Sequence, residues 1–117
     1  MLQIKRIYQE ADPKDGLRIL VDRLWPRGIS KERAHVDRWE KELAPSDELR
    51  RWFGHDPERW QEFKSRYGAE LEGQGELLHE VAAKAANGPV TLLYAAKDEE
   101  HNNAVVLQEL IGKRAPR

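Results

Sequence analysis

The residues able to do chemistry are concentrated in two short polar stretches. One is Asp22-Arg23-Leu24-Trp25-Pro26-Arg27-Gly28, directly after the apolar run at residues 17–21. The other is Lys97-Asp98-Glu99-Glu100-His101-Asn102-Asn103, directly after the apolar run at residues 90–96. Asp22, Asp98 and His101 are the groups that can carry protons as acid or base. Arg23, Arg27 and Lys97 are the groups that can hold a carboxylate or phosphate, with Trp25, Asn102 and Asn103 beside them. Each also has a plainer role. Asp22 can pair with Arg23 or Arg27, or accept loop amides. Asp98 can cap a helix. Trp25-Pro26 can plug the core. Arg27, between Pro and Gly, suits ligand recognition and a structural ion pair equally well. Glu99 and Glu100 oppose a helix dipole favourably but would repel a phosphate.

Other chemical patterns are weak. Four histidines occur, His35, His55, His79 and His101, and none forms an H-x3-H pair. Glu76-Leu77-Leu78-His79 has the E-x-x-H spacing of di-iron bundles, but a sheet-containing chain cannot supply four facing helices. His79 therefore reads as a surface residue, and His55, before Asp56, as local. No G-x-S-x-G, Walker A or G-x-G-x-x-G motif occurs, so no cofactor is expected. Trp39, Trp52, Phe53, Trp60, Phe63 and Tyr67 recur at helical spacing. That pattern describes a helical layer packed on a sheet better than a binding surface, with Trp60 and Phe63 in the core.

The elements that position the two stretches follow from turn formers and periodicity. Residues 2–8 and 17–21 read as strands around the turn-rich Asp12-Pro13-Lys14-Asp15-Gly16. So short a link favours a hairpin-like or otherwise antiparallel relation between them. Ser30 caps a short helix, and Val36, Trp39 and Leu43 continue at helical spacing. Pro45-Ser46-Asp47-Glu48 starts a helix that Gly54 ends. Asp56-Pro57 starts another, which Gly73 and Gly75 weaken before Asn87-Gly88-Pro89 stops it. Residues 90–96 are apolar without alternation, as in a central strand buried on both faces. A last helix turns Ala104, Leu107, Leu110 and Ile111 inward. The expected fold is α/β: a small mixed, mostly parallel sheet flanked by helices, layered and Rossmann-like. Ligands of such sheets collect at the carboxyl ends of the strands, where both polar stretches lie.

Composition bounds the rest. The chain has 117 residues, enough for one domain, expected over residues 1–112 with a disordered basic tail at 113–117. Twenty Lys and Arg against 21 Asp and Glu leave a net charge of -1, so nucleic acid is not an expected partner. The absence of cysteine excludes disulfides and thiolate chemistry. No apolar run is long enough to span a membrane, and Met1-Leu2-Gln3-Ile4-Lys5-Arg6 lacks a signal-peptide apolar region. A cytoplasmic location is the expectation.

Three segments resemble the domain-of-unknown-function 488 (DUF488) family, in its short YeaO-like branch. They are residues 16–28, Gly-Leu-Arg-Ile-Leu-Val-Asp-Arg-Leu-Trp-Pro-Arg-Gly; Leu43-Ala44-Pro45-Ser46 with Leu49-Arg50 and Trp52-Phe53; and residues 91–104, from Thr91 through Tyr94, Lys97 and His101 to Ala104. The resemblance implies a compact α/β domain with no settled reaction or cofactor. Longer members carry an Asp-x-Arg after one strand and a cysteine-rich stretch after another. Asp22 with Arg23 or Arg27 keeps the first character. Tyr94 and the His101-Asn102 region stand where the cysteines would be, so thiol chemistry does not carry over.

Two functions fit these residues. One is a small enzyme or binding domain for an anionic, nucleotide- or phosphate-like ligand, with Asp22, Asp98 and His101 as catalytic groups. The other is a non-catalytic regulatory or interaction domain, touching nucleic acid through Arg23, Arg27, Lys31 and Arg33.

Overall fold

A computed structural model describes residues 1–114. The elements run β1 (Leu2–Arg6), β2 (Leu17–Leu20), α1 (Lys31–Ala34), β3 (Arg38–Trp39), α2 (Asp47–Phe53), α3 (Trp60–Leu71), α4 (Gly75–Asn87), β4 (Val90–Tyr94) and α5 (Asn103–Lys113). The last helix thus runs through Lys113, and Ala115, Pro116 and Arg117 of the expected tail lie outside the described residues. No helix among the described residues is long and apolar enough to cross a membrane.

The four strands form one sheet in the order β1-β4-β2-β3, and every pairing is parallel. This corrects two expectations. The sheet is not mixed, and β1 and β2 are neither adjacent nor antiparallel, because β4 inserts between them. The ten residues from Ile7 to Gly16 make the crossover without an α-helix. Ten residues in extended form reach ~33 Å. The path needs only about 17 Å back along a strand and ~10 Å across two strand spacings. A third correction concerns residues 36–43. Their helical spacing is overridden, and α1 stops at His35, whose φ of 49° is left-handed. The next residues form β3, because the open edge of β2 needs partners. Asp37 N–H donates to Arg18 O at 2.9 Å, and Glu40 N–H to Leu20 O at 2.9 Å.

The local start and stop signals act as expected. Ser46 accepts from Leu49 N–H at the head of α2, and Gly54 ends that helix at φ 53°. Asp56 accepts from Glu58 N–H at a short 3-10 turn that leads into α3. Another 3-10 turn, at Glu72–Gln74, separates α3 from α4. The cap of α5 is Asn102, not Asp98.

Register sorts the side chains onto two faces. Ile4, Leu92 and Ile19 share one face, covered by α2–α5 and by Phe53, Phe63, Tyr67 and Val81. Phe53 and Phe63 stack at 4.3 Å. Phe63 is 2% exposed, whereas Trp60 is only partly buried at the rim, a correction to its expected core place. Leu93 and Leu20 point to the other face, under Ile7, Ala34, Trp25 and Trp39. Trp39 thus serves this second face rather than the helical layer. Beside it lies a buried ion network. Arg18 donates to Asp15, to Ala34 O (2.8 Å) and to His35 O (3.1 Å), and so closes the end of α1. Lys5 reaches Asp15 at 3.1 Å. Burial pushes the Asp15 carboxyl up, but the Asp12 N–H, Lys5 and Arg18 outweigh it and hold it below the ordinary range.

Candidate functional site

Parallel strands bring all their carboxyl ends to one edge of the sheet. There Ile7 N–H donates to Tyr94 O (2.8 Å) and Val21 N–H to Leu93 O (3.1 Å). Arg6 clamps the turn after β4 by donating to Ala96 O (2.8 Å) and Ala95 O (3.1 Å). Asp22 ties the two polar stretches together. Its Oδ2 accepts from Ala95 N–H at 3.0 Å, and its Oδ1 from Asn103 Nδ2 at 3.1 Å. The same Asn103 amide donates to Val21 O at 2.8 Å. Burial pushes the Asp22 carboxyl above the ordinary carboxylate range, against the pull of those two donors.

Two adjoining hollows open at this edge. The first, about 610 Å³, is lined by Asp22, Ala95, Ala96, Lys97, Asp98 and Asn103, together with Arg50 and His55. The second, about 420 Å³, lies between Tyr8, the 22–27 loop and Pro45, and shares Asp22, Arg50, Ala95 and Asn103 with the first. Volumes of this order suit a small ligand. The two stretches therefore meet although they are far apart in sequence.

The candidate residues differ in how free they are. Arg23 donates to Pro45 O (3.3 Å) and Ala44 O (3.4 Å), holding the turn before α2 against the end of β2. Arg27 is exposed, and its backbone carbonyl accepts from the Tyr8 hydroxyl at 2.7 Å. Among the described residues, neither Arg27 nor the exposed Lys97 makes an ion pair. Trp25 is anchored by Nε1 donating to Ile29 O (2.8 Å) and by an edge contact with Trp39 at 5.5 Å.

Asp98 shapes its own turn. Its Oδ1 accepts from Glu100 N–H and His101 N–H, and its Oδ2 meets His101 Nδ1 at 2.9 Å. The Glu100 N–H and the imidazole hold the Asp98 carboxyl below the ordinary range. His101 packs edge-on to Trp60 at 5.2 Å and lines a smaller recess behind the main hollows. Asn102 is buried; its amide caps α5 and donates to Asp98 O at 2.9 Å. No three His, Asp or Glu side chains among the described residues are grouped to hold a metal ion.

Two wall residues escaped sequence reading. Arg50 comes from the first turns of α2, and its ion pair with Asp47 (3.2 Å) is an exposed one, a class worth little. No local signal marks it, since core packing of Leu49 and Phe53 and the Arg23 tether bring α2 to the edge. His55, expected to stay local, instead stands on the crevice wall. Its φ of 57°, following Gly54 at 53°, turns the chain back toward the sheet. The Gly54-His55-Asp56-Pro57 turn was the available signal.

A protein-family model for the inactive DUF488-N3 subclade matches residues 1–117. The chain is 46% identical over 111 residues to the uncharacterised protein YeaO of Escherichia coli K12, covering 92% of this chain and 94% of that protein. It is 42% identical over 115 residues to an uncharacterised protein of Mycobacterium tuberculosis H37Rv, covering 97% of this chain and 95% of the relative. No solved structure matches.

Proposed function

Because the chain belongs to the DUF488 family, in the N3 subclade described as inactive, we propose that it binds a small anionic ligand without transforming it. The seat is the crevice at the carboxyl edge of the sheet. One observation carries the reading: Lys97, Arg50 and Arg27 stand around hollows whose carboxylates already accept from protein donors. Cations without strong internal partners favour a phosphate or carboxylate arriving from solution. The same geometry argues against proton transfer by Asp98 and His101. A general acid or base works best with a pKa near the working pH, whereas Asp98 is shifted away from neutrality. His101 lines the smaller recess, and its imidazole is held by Asp98 at 2.9 Å.

Thermal melting with inorganic phosphate, phosphate monoesters and dicarboxylates tests the proposal, because a ligand of the native state raises the melting temperature. At least one of these anions is expected to stabilise the protein beyond chloride of matched ionic strength. The double variant Arg50→Ala/Lys97→Ala should lose that shift while melting close to wild type. The stabilising compound should be recovered chemically unchanged after incubation. No shift with any of these anions would refute binding, and conversion of the compound would refute the non-catalytic part.

A further inference from the structure

We infer that the ligand is a nucleoside monophosphate lying along the sheet edge, with phosphate toward Lys97 and Arg50, sugar hydroxyls on Asp22 and base against Tyr8 and Leu24. The inference rests on the anion-binding reading above and adds the ligand's class. The two hollows share Asp22 and Arg50, so they form one trough with different chemistry at its two ends. Lys97 gives one end a cation, and Arg50 stands at the shared middle beside Asp22.

Asp22 stands in the middle. A carboxylate offers about four acceptor sites. Ala95 N–H and Asn103 Nδ2 use two of them. What remains calls for donors. A bare phosphate has none to give when fully ionised and is repelled, whereas a pair of vicinal hydroxyls supplies two. Burial raises the Asp22 pKa, as expected of a carboxylate short of donors.

The far end carries an apolar shelf beside the Arg23 and Arg27 side chains. Among the described residues, the exposed large hydrophobic side chains are Met1, Tyr8 and Leu24, and two of these three flank the second hollow. Leu24 is 59% exposed and Tyr8 40%. The Tyr8 ring is held in place by its hydroxyl on Arg27 O and by the Arg6 guanidinium, 5.0 Å from its centroid. A flat heterocycle covers such a surface, and the planar Arg27 guanidinium beside it can stack on a base or donate to it.

Calorimetric titration with inorganic phosphate, ribose 5-phosphate and the 5′-monophosphates of adenosine, guanosine, cytidine and uridine tests the inference. Affinity should rise in that order, with at least one nucleotide about 10-fold tighter than ribose 5-phosphate, the size of a single stacked base. Leu24→Ser should erase most of that advantage and leave ribose 5-phosphate binding unchanged. Nucleotides no tighter than ribose 5-phosphate would overturn the base seat and leave anion binding standing. Binding by no phosphate compound at all would overturn the nucleotide assignment, and the dicarboxylate melts would then decide the anion-binding reading. Self-association of the wild type that Leu24→Ser abolishes would make the apolar end an interface between copies, and would also overturn the base seat.

Discussion

Arg18 and Arg27 are nine positions apart, yet the structure gives them opposite energetic roles. Arg18 is 4% exposed, and its partner Asp15 is 5% exposed. Its guanidinium binds Asp15 and the carbonyls of Ala34 and His35. Arg18→Ala leaves a buried carboxylate with Lys5 as its remaining ion-pair partner, and removes the donor that closes α1. Removing one member of a buried pair costs about 3–5 kcal/mol. For 117 residues, the entropy of unfolding is about 0.25 kcal/mol per kelvin, so each kcal/mol lowers Tm by ~4 °C. Arg18→Ala should therefore melt ~12–20 °C below wild type. The Arg27 side chain has no ion pair among the described residues, and the Tyr8 hydroxyl binds its backbone carbonyl, which alanine retains. Arg27→Ala should stay within about 0.5 kcal/mol, or ~2 °C. Circular-dichroism melts of both variants, with urea midpoints as a second measure, decide the matter. Equal losses from the two substitutions would refute the assignment of one arginine to the fold and the other to the open crevice.

Gly16 has φ 64°, and a Cβ there would lie 2.1 Å from Pro89 O, so Gly16→Ala should lower the urea midpoint by the equivalent of about 2 kcal/mol or more. Gly28 also has a positive φ (79°) but open space around it, so Gly28→Ala should cost only the backbone strain, ~1–2 kcal/mol. Phe63→Ala, in the stacked core, should cost about 3–5 kcal/mol, and Trp60→Ala at the rim clearly less; equal losses would place Trp60 in the core after all. Asp22 predicts a pH slope. Its folded pKa is raised, so its contribution to stability is present below the unfolded value, near ~3.9, and is lost as pH rises through the folded value. Asp22→Asn should therefore gain on wild type as pH rises from about 4 toward 7. Asp15, whose pKa is lowered, contributes with the opposite sign, losing stability as pH falls. Parallel urea titrations across that range read the slope, and a flat difference between wild type and Asp22→Asn would contradict the Asp22 shift.

Much of the architecture was legible along the chain because short-range physics sets it. Ser46 and Asp56 cap backbone amides two or three residues away, Gly54 supplies a left-handed stop, and the unalternating run that becomes β4 is buried along its whole length. The meeting of the two polar stretches was legible as well, since polar stretches after apolar strands end at one edge whenever those strands run parallel. Strand order was not legible. Nothing in residues 1–21 encodes the insertion of β4 between β1 and β2, which depends on partners 88 and 73 positions away. Strand β3 was hidden because two residues carry too little pattern to outweigh helical spacing, and the free edge of β2 decides them. Arg23, Arg27 and Arg18 are one residue type in similar surroundings. Only tertiary contacts made the first a tether, left the second open and buried the third. Arg50 and His55 came to the crevice the same way, carried there by α2 and the turn after it, because the wall of a site is built by whatever the fold brings alongside.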